Sequence, residues 1–228
     1  MKLTRFSHKI RYIVGVSLLL SLLIVAGQII SGEQLFIIAK EILEETEKKF
    51  GQAARQRLLA WQDLINKDTS ESDLQKLDKV NMFFNQLEFV DDAIHWQKED
   101  YWATPFEFLN TEAGDCEDYS ISKYFTLRAM GISDEKLNLT YVKALTLNQH
   151  HMVLTYYPEP GAVPLVLDNL VGIVRLATER PDLIPIYSFN AASLWIAKQR
   201  GQGKLIGRSS QIDRWQELLQ RMPAGIFD

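Results

Sequence analysis

The chain has one cysteine, Cys116, among its 228 residues. That excludes a disulfide scaffold and any zinc or iron–sulfur site built from several cysteines. Histidine is scarce as well, with four residues in all. Internal repeats and low-complexity tracts are absent, and a content of 46% hydrophobic and 24% charged residues excludes a disordered or collagen-like chain. Basic residues are thin beyond the N-terminus. Lys2, Arg5, Lys9 and Arg11 precede the first acidic residue, Glu33. Setting those four aside leaves 21 of the 25 basic residues against 29 acidic ones, a net charge of −8 from Tyr12 onward. An acidic body of that kind is poorly suited to holding nucleic acid through its phosphates.

Charge is missing altogether between Tyr12 and Gly32, and Leu18 to Val25 form the apolar centre of that stretch. Basic residues before it and Glu33, Glu41, Glu44 and Glu45 after it predict an N-in, C-out orientation. The length falls between a signal-peptide core and a full bilayer span, so residues 1–32 read as either a signal peptide or a membrane anchor. Either way the remainder is expected to work outside the cytoplasm.

The exported part begins with a helical segment, residues 33–72. Its stripe of Ile38, Ile42, Phe50, Trp61 and Leu64-Ile65 predicts helix from Ile37 to about Asn66, bent near Gly51. After the polar stretch Asp68–Asp73, a second helix to about Leu87 should turn Leu74, Leu77, Val80, Phe83 and Phe84 inward. Gly114-Asp115-Cys116-Glu117-Asp118 opens a helix that runs to about Met130 and is closed by Gly131. The period then changes. Leu139–Leu147, His151–Tyr157 and Leu165–Val171 read as three antiparallel strands with a proline-bounded turn. A helical extension, residues 191–228, carries Ile212, Trp215, Leu218 and Leu219 on one stripe. Helices followed by a meander predict an α+β domain, with residues 73–190 as its core.

A lone thiol in an oxidising compartment is either inert or used. Cys116 lies at a predicted helix start, where unpaired N–H groups and the macrodipole favour a thiolate. A nucleophile there needs a base and a group to orient that base. Hairpin pairing brings Asp168 near His151, although symmetric pairing about Pro160 and Gly161 sets His151 opposite residue 170, one pleat too far. A bulge or a shifted register is expected to close that gap. Of the other histidines, His8 lies in the leader, His95 reads as a surface or packing residue, and His150 competes with His151 on the opposite strand face. Trp96 and Trp102 read as packing residues, with the lining of a substrate groove as the alternative.

Asp115, Glu117 and Asp118 crowd the same turn, and carboxylates beside a thiol oppose its ionisation. Two readings account for them. The three residues cap the helix and complement its dipole, or they hold a cation, for which hard oxygen donors favour Ca²⁺.

Trp102-x-Thr104-Pro105-x-Glu107-Phe108-Leu109, Gly114-Asp115-Cys116-Glu117-Asp118-Tyr119, His151-Met152-Val153-Leu154 and Leu167-Asp168-Asn169 together resemble the bacterial transglutaminase-like cysteine proteinases. The resemblance spans about Asp73 to Tyr187. It implies a papain-like core with Cys116 as nucleophile at a helix start, and His151 as base and Asp168 as orienter on an antiparallel sheet. It further implies Ca²⁺ dependence, with Asp115, Glu117 and Asp118 as the metal residues. The activity implied is periplasmic endopeptidase cleavage near the N-terminus of a large secreted adhesin, controlling biofilm attachment. An inner-membrane cyclic-di-GMP receptor is the implied inhibitor. Two rival expectations are amide transfer by a transglutaminase and a catalytically silent, calcium-stabilised binding module.

Overall fold

The computed structural model describes residues 35–67, 70–196 and 204–223. The expected leader, 1–32, lies outside them. Among the described residues no helix is long and apolar enough to cross a membrane.

The helical half begins with α1 (Lys40–Phe50) and α2 (Gln52–Asn66), separated at Gly51. Gly51 sits at φ 88°, a conformation open to glycine, so the expected bend is a break between two helices. Next comes α3 (Asp73–Phe84), capped by Ser72, whose side chain and that of Gln75 satisfy each other's backbone N–H groups. Short elements follow: β1 (Glu88–Phe89), α4 (Asp92–His95), α5 (Pro105–Thr111) and β2 (Ala113–Gly114), with β1 and β2 paired in parallel. Then α6 (Cys116–Ala129) leads to Gly131 at φ 87°.

The second half is a seven-stranded antiparallel sheet. Its strands are β3 (Leu137–Ala144), β4 (Gln149–Tyr156), β5 (Leu165–Leu167), β6 (Arg175–Leu176), β7 (Leu183–Phe189), β8 (Leu194–Ile196) and β9 (Lys204–Gly207). Their order is β6-β5-β4-β3-β7-β8-β9. The closing helix is α7 (Asp213–Arg221).

The helices α2, α3 and α5 surround α6 on one side, and β3 and β4 close the other. That is why α6 has no polar face: every residue from Asp118 to Leu127 is buried. Trp61 reaches α6 through a hydrogen bond from Nε1 to Thr126 Oγ1 at 2.7 Å. Leu43, Leu58, Trp61 and Ile65 share one core with Leu77, Phe84, Tyr124, Leu154, Phe189 and Trp215.

Three expectations need correction. Residues 191–228 begin with β8 and β9, which extend the main sheet, before α7 is reached. Leu74 faces solvent, 57% exposed, because it falls on the outer side of α3. The β4–β5 ladder keeps the symmetric register, Leu154 opposite Leu167 and Tyr156 opposite Leu165, with no bulge. Strand β5 instead ends at Leu167, and Asp168 leaves the ladder in a turn held by its own side chain, which accepts the Leu170 N–H at 3.0 Å.

Candidate active site

Cys116 is the first residue of α6, and Asp115 is its N-cap. The Asp115 carboxylate accepts the Glu117 N–H at 3.3 Å, and Asp118 Oδ2 accepts the Asp115 N–H at 3.3 Å. This reciprocal cap is the local reason for the Asp-Cys-Glu-Asp run. Gly114 precedes it because a side chain there would collide with the Asp118 carboxylate and the Phe108 ring. Asp118 also ties in the incoming segment, accepting the Ala103 N–H through Oδ1 at 2.7 Å. Thr104 and Glu107 form a further capping box, at the start of α5, with Pro105 in its first turn.

The sheet supplies the other side. Ser120, one turn along α6, donates to the Met152 carbonyl at 3.0 Å, while the Met152 N–H faces the sulfur and favours the thiolate. His151, the residue before Met152, thus lies on the strand that this bond fastens to α6. Its Nε2 meets Asp168 Oδ1 at 2.8 Å, and both side chains are buried. With Nε2 protonated toward the carboxylate, Nδ1 is the bare nitrogen. Burial alone would raise Asp168, but His151, the Leu170 N–H and Arg180 bring it down to about 2. It is ionised at any working pH. His150 is exposed and rests against Tyr141, with ring centroids 5.2 Å apart. His95 bonds Thr111 Oγ1 at 3.0 Å and packs on Trp96, as a packing residue does.

The thiol itself donates to Glu117 Oε2 at 2.8 Å. Burial first, then the Glu117 and Asp115 charges, push it well above its ordinary value. The helix start does not win this contest; burial wins it first, and the carboxylates add to it.

Two acidic clusters meet at Asp115. One is Asp115, Cys116 and Glu117; the other is Asp92, Asp115 and Asp118. The expected set of Asp115, Glu117 and Asp118 is thus divided, and Asp92 joins from α4. Asp92 was visible in the sequence only as half of Asp91-Asp92; nothing in the spacing tied it to Cys116. Its buried Oδ1 has no hydrogen-bond partner among the described residues, while Oδ2 accepts the Tyr101 N–H. Burial lifts Asp92 to about 6, and burial plus the neighbouring acids lift Asp115 and Asp118 further above the carboxylate range. An orphaned oxygen among hard donors that repel one another fits a divalent cation such as Ca²⁺. The cap and the cation are compatible, because the capping bond takes one oxygen of Asp115 and a carboxylate oxygen that accepts one hydrogen bond keeps a second lone pair.

Beside Glu117 opens a cleft of about 470 Å³, lined by Trp102, Tyr141, Tyr187 and Glu217 among others. Trp102 both packs, stacking on Phe189 at 5.7 Å, and faces that cleft.

The family model of the bacterial transglutaminase-like cysteine proteinases matches residues 52–200. Three solved structures of Legionella pneumophila LapG are each 42% identical and are matched over their whole length. The EGTA-treated form covers 83% of this chain with a TM-score of 0.72, and a second LapG structure covers 83% with 0.71. The calcium-bound form covers 82% with a TM-score of 0.70. No curated protein matches. A match over more than half of its length shows that the chain belongs to the bacterial transglutaminase-like cysteine proteinases.

Proposed function

We propose that the chain is a calcium-dependent cysteine endopeptidase that uses Cys116, His151 and Asp168. The observation that carries this reading is the buried His151–Asp168 pair, 2.8 Å apart, with His151 on the strand whose Met152 peptide is fastened to the helix that starts at Cys116. The family of cysteine proteinases and the LapG likeness support it.

In the reaction, Nδ1 of His151 takes the thiol proton as Sγ bonds to the substrate carbonyl carbon. The imidazolium then protonates the amine as the C–N bond breaks, leaving a thioester. Water, deprotonated by the same nitrogen, cleaves the thioester and restores the thiol. Asp168 stays ionised, fixes the tautomer and stabilises the imidazolium. The Cys116 backbone N–H, unpaired at the first turn of α6, is one oxyanion donor. Asp115 together with Asp92 and Asp118, or together with Glu117, would hold the Ca²⁺, which would supply positive charge beside the thiol and tie down the turn that carries it. Glu117 holds the thiol proton here, so a cation in its group would compete with the thiol for its carboxylate.

The likeness to LapG supports a large cell-surface adhesin as substrate, cut in its N-terminal region, with biofilm attachment as the property controlled. It also supports the periplasm as the compartment and a cyclic-di-GMP receptor of the inner membrane as the inhibitor; the reading of residues 1–32 as signal or anchor rests on their basic residues and uncharged run alone. Incubation with the adhesin's N-terminal region in ¹⁸O-labelled water tests this. Two fragments and one ¹⁸O in the new carboxyl terminus are expected from the wild type, and no cut from Cys116→Ala. Isopeptide products with an added primary amine would favour amide transfer, and no reaction at all would favour a binding module.

A further inference from the structure

Asp168 is gripped by more than His151. Its Oδ2 lies 2.8 Å from Arg180 Nη1, an ion pair rather than an aligned hydrogen bond, since Oδ2 has no hydrogen-bond partner among the described residues. Its main-chain carbonyl accepts from Asn85 Nδ2 at 2.8 Å. Each of these groups is itself aligned from behind. Arg180 donates through Nε and Nη2 to the two oxygens of Asp182, at 3.0 and 2.8 Å. Asn85, the C-cap of α3, accepts from Lys123 Nζ at 2.7 Å. Lys123 sits on α6, about two turns beyond Cys116.

Burying these cations is costly. Lys123 is 1% exposed and Arg180 6%. A buried charge costs several kcal/mol unless it is well paired, and apolar residues of similar volume usually serve stability as well or better. Among the described residues Lys123 pairs with no carboxylate; it faces the Asn85 amide and, at 5.7 Å, the Tyr119 ring, with the charge of Asp168 beyond. Burial pulls its ammonium down to about 7, against the opposing pull of Asp168. A methionine would fill that space more cheaply, so packing alone does not account for a lysine on the nucleophile's own helix.

We propose that Arg180, and Lys123 acting through Asn85, are positioning residues that fix Asp168 from its carboxylate side and its main-chain side, and so hold Nδ1 of His151 toward Cys116. The inference rests on the triad reading above. Arg180 resists rotation of the carboxylate away from Nε2, and Asn85 stops the turn after β5 from drifting off α6.

The test is the rate at which iodoacetamide alkylates the single thiol of the full chain with Ca²⁺ present, between pH 5 and 9, which needs no substrate. His151→Ala should slow alkylation near neutral pH about 100-fold, the scale of a lost general base. Arg180→Met and Lys123→Met should each slow it about ten-fold and change its pH profile, and Arg180→Lys should stay within about three-fold of wild type. Lys123→Met combined with Asn85→Ala should be no slower than either alone, as residues acting in one chain are. In peptide cleavage kcat should fall while KM holds. Wild-type rates and profiles in both methionine variants, with His151→Ala slow, would overturn the inference and leave the triad standing. A wild-type rate in His151→Ala would overturn the triad instead. Should Arg180→Met fail to melt as a folded protein, Lys123→Met, an apolar replacement of similar size, decides the matter alone.

Discussion

Ser120 Oγ donates to the Met152 carbonyl at 3.0 Å, and this bond fastens the strand that carries His151 to the helix that starts at Cys116. The hydroxyl is buried and lies one turn below the thiol. Antiparallel pairing with β3 sets the height of β4, Tyr141 opposite Met152, but a sheet can slide past a helix unless a directional contact stops it. The serine is that contact. Ser120→Ala should cost about 1 kcal/mol of stability, the scale of one hydrogen bond, and lower kcat about ten-fold with little change in KM. A thermal melt and a cleavage assay on the same sample separate the two effects.

His151→Ala should abolish cleavage and His150→Ala should leave most of it. Only His151 meets Asp168, whereas His150 is exposed against Tyr141. Initial rates on one peptide substrate check this, and the reverse order would move the base by one residue.

Gly114→Ala should be severely destabilised despite the small change. Its added methyl meets the Asp118 carboxylate and Phe108, both fixed in the cap of α6 and the core behind it. The same substitution at Gly161, where φ is 80° and space is open, should cost only the backbone strain of a surface turn, about 1 kcal/mol. Denaturant midpoints for the two variants give the comparison.

The site was legible where chemistry and local geometry coincide. A single cysteine after an N-cap aspartate, closed by Gly131, could be read directly as helix start and helix end. The strand holding His151 and Met152 followed from its β-branched and aromatic run. What failed was long-range. β8 and β9 lie among polar and glycine residues, Ser193, Lys204 and Gly207, and take their strand character from pairing with β7 rather than from their own pattern. Asp92, Asn85 and Arg180 come to the site from three separate stretches, so no spacing could announce them. Lys123 did leave a signal: a lysine on the side of α6 that also carries Cys116, in a helix with no solvent face.

Acidity should stabilise the metal-free protein. Asp92, Asp115 and Asp118 lie above the ordinary carboxylate value, through burial first and neighbouring charge second. The folded chain therefore keeps protons that the unfolded chain releases, and stability falls as pH rises above the unfolded value near 4. For Asp92 the fall runs up to about 6. In EGTA the melting temperature should drop between pH 5 and 7.5. Ca²⁺ should remove most of that drop, and Asp92→Asn should shrink it. Calorimetric scans at the two pH values, with and without Ca²⁺, measure all three.

The central claim is that Cys116 is a nucleophile whose use depends on Ca²⁺, and trapping it with a peptidyl vinyl sulfone asks this directly. After brief exposure, intact-mass measurement and peptide mapping should find one adduct, on Cys116, in protein supplied with Ca²⁺. Protein in EGTA should stay unlabelled, as should His151→Ala with Ca²⁺. Equal labelling with and without Ca²⁺, or an adduct on any residue other than Cys116, would contradict the account.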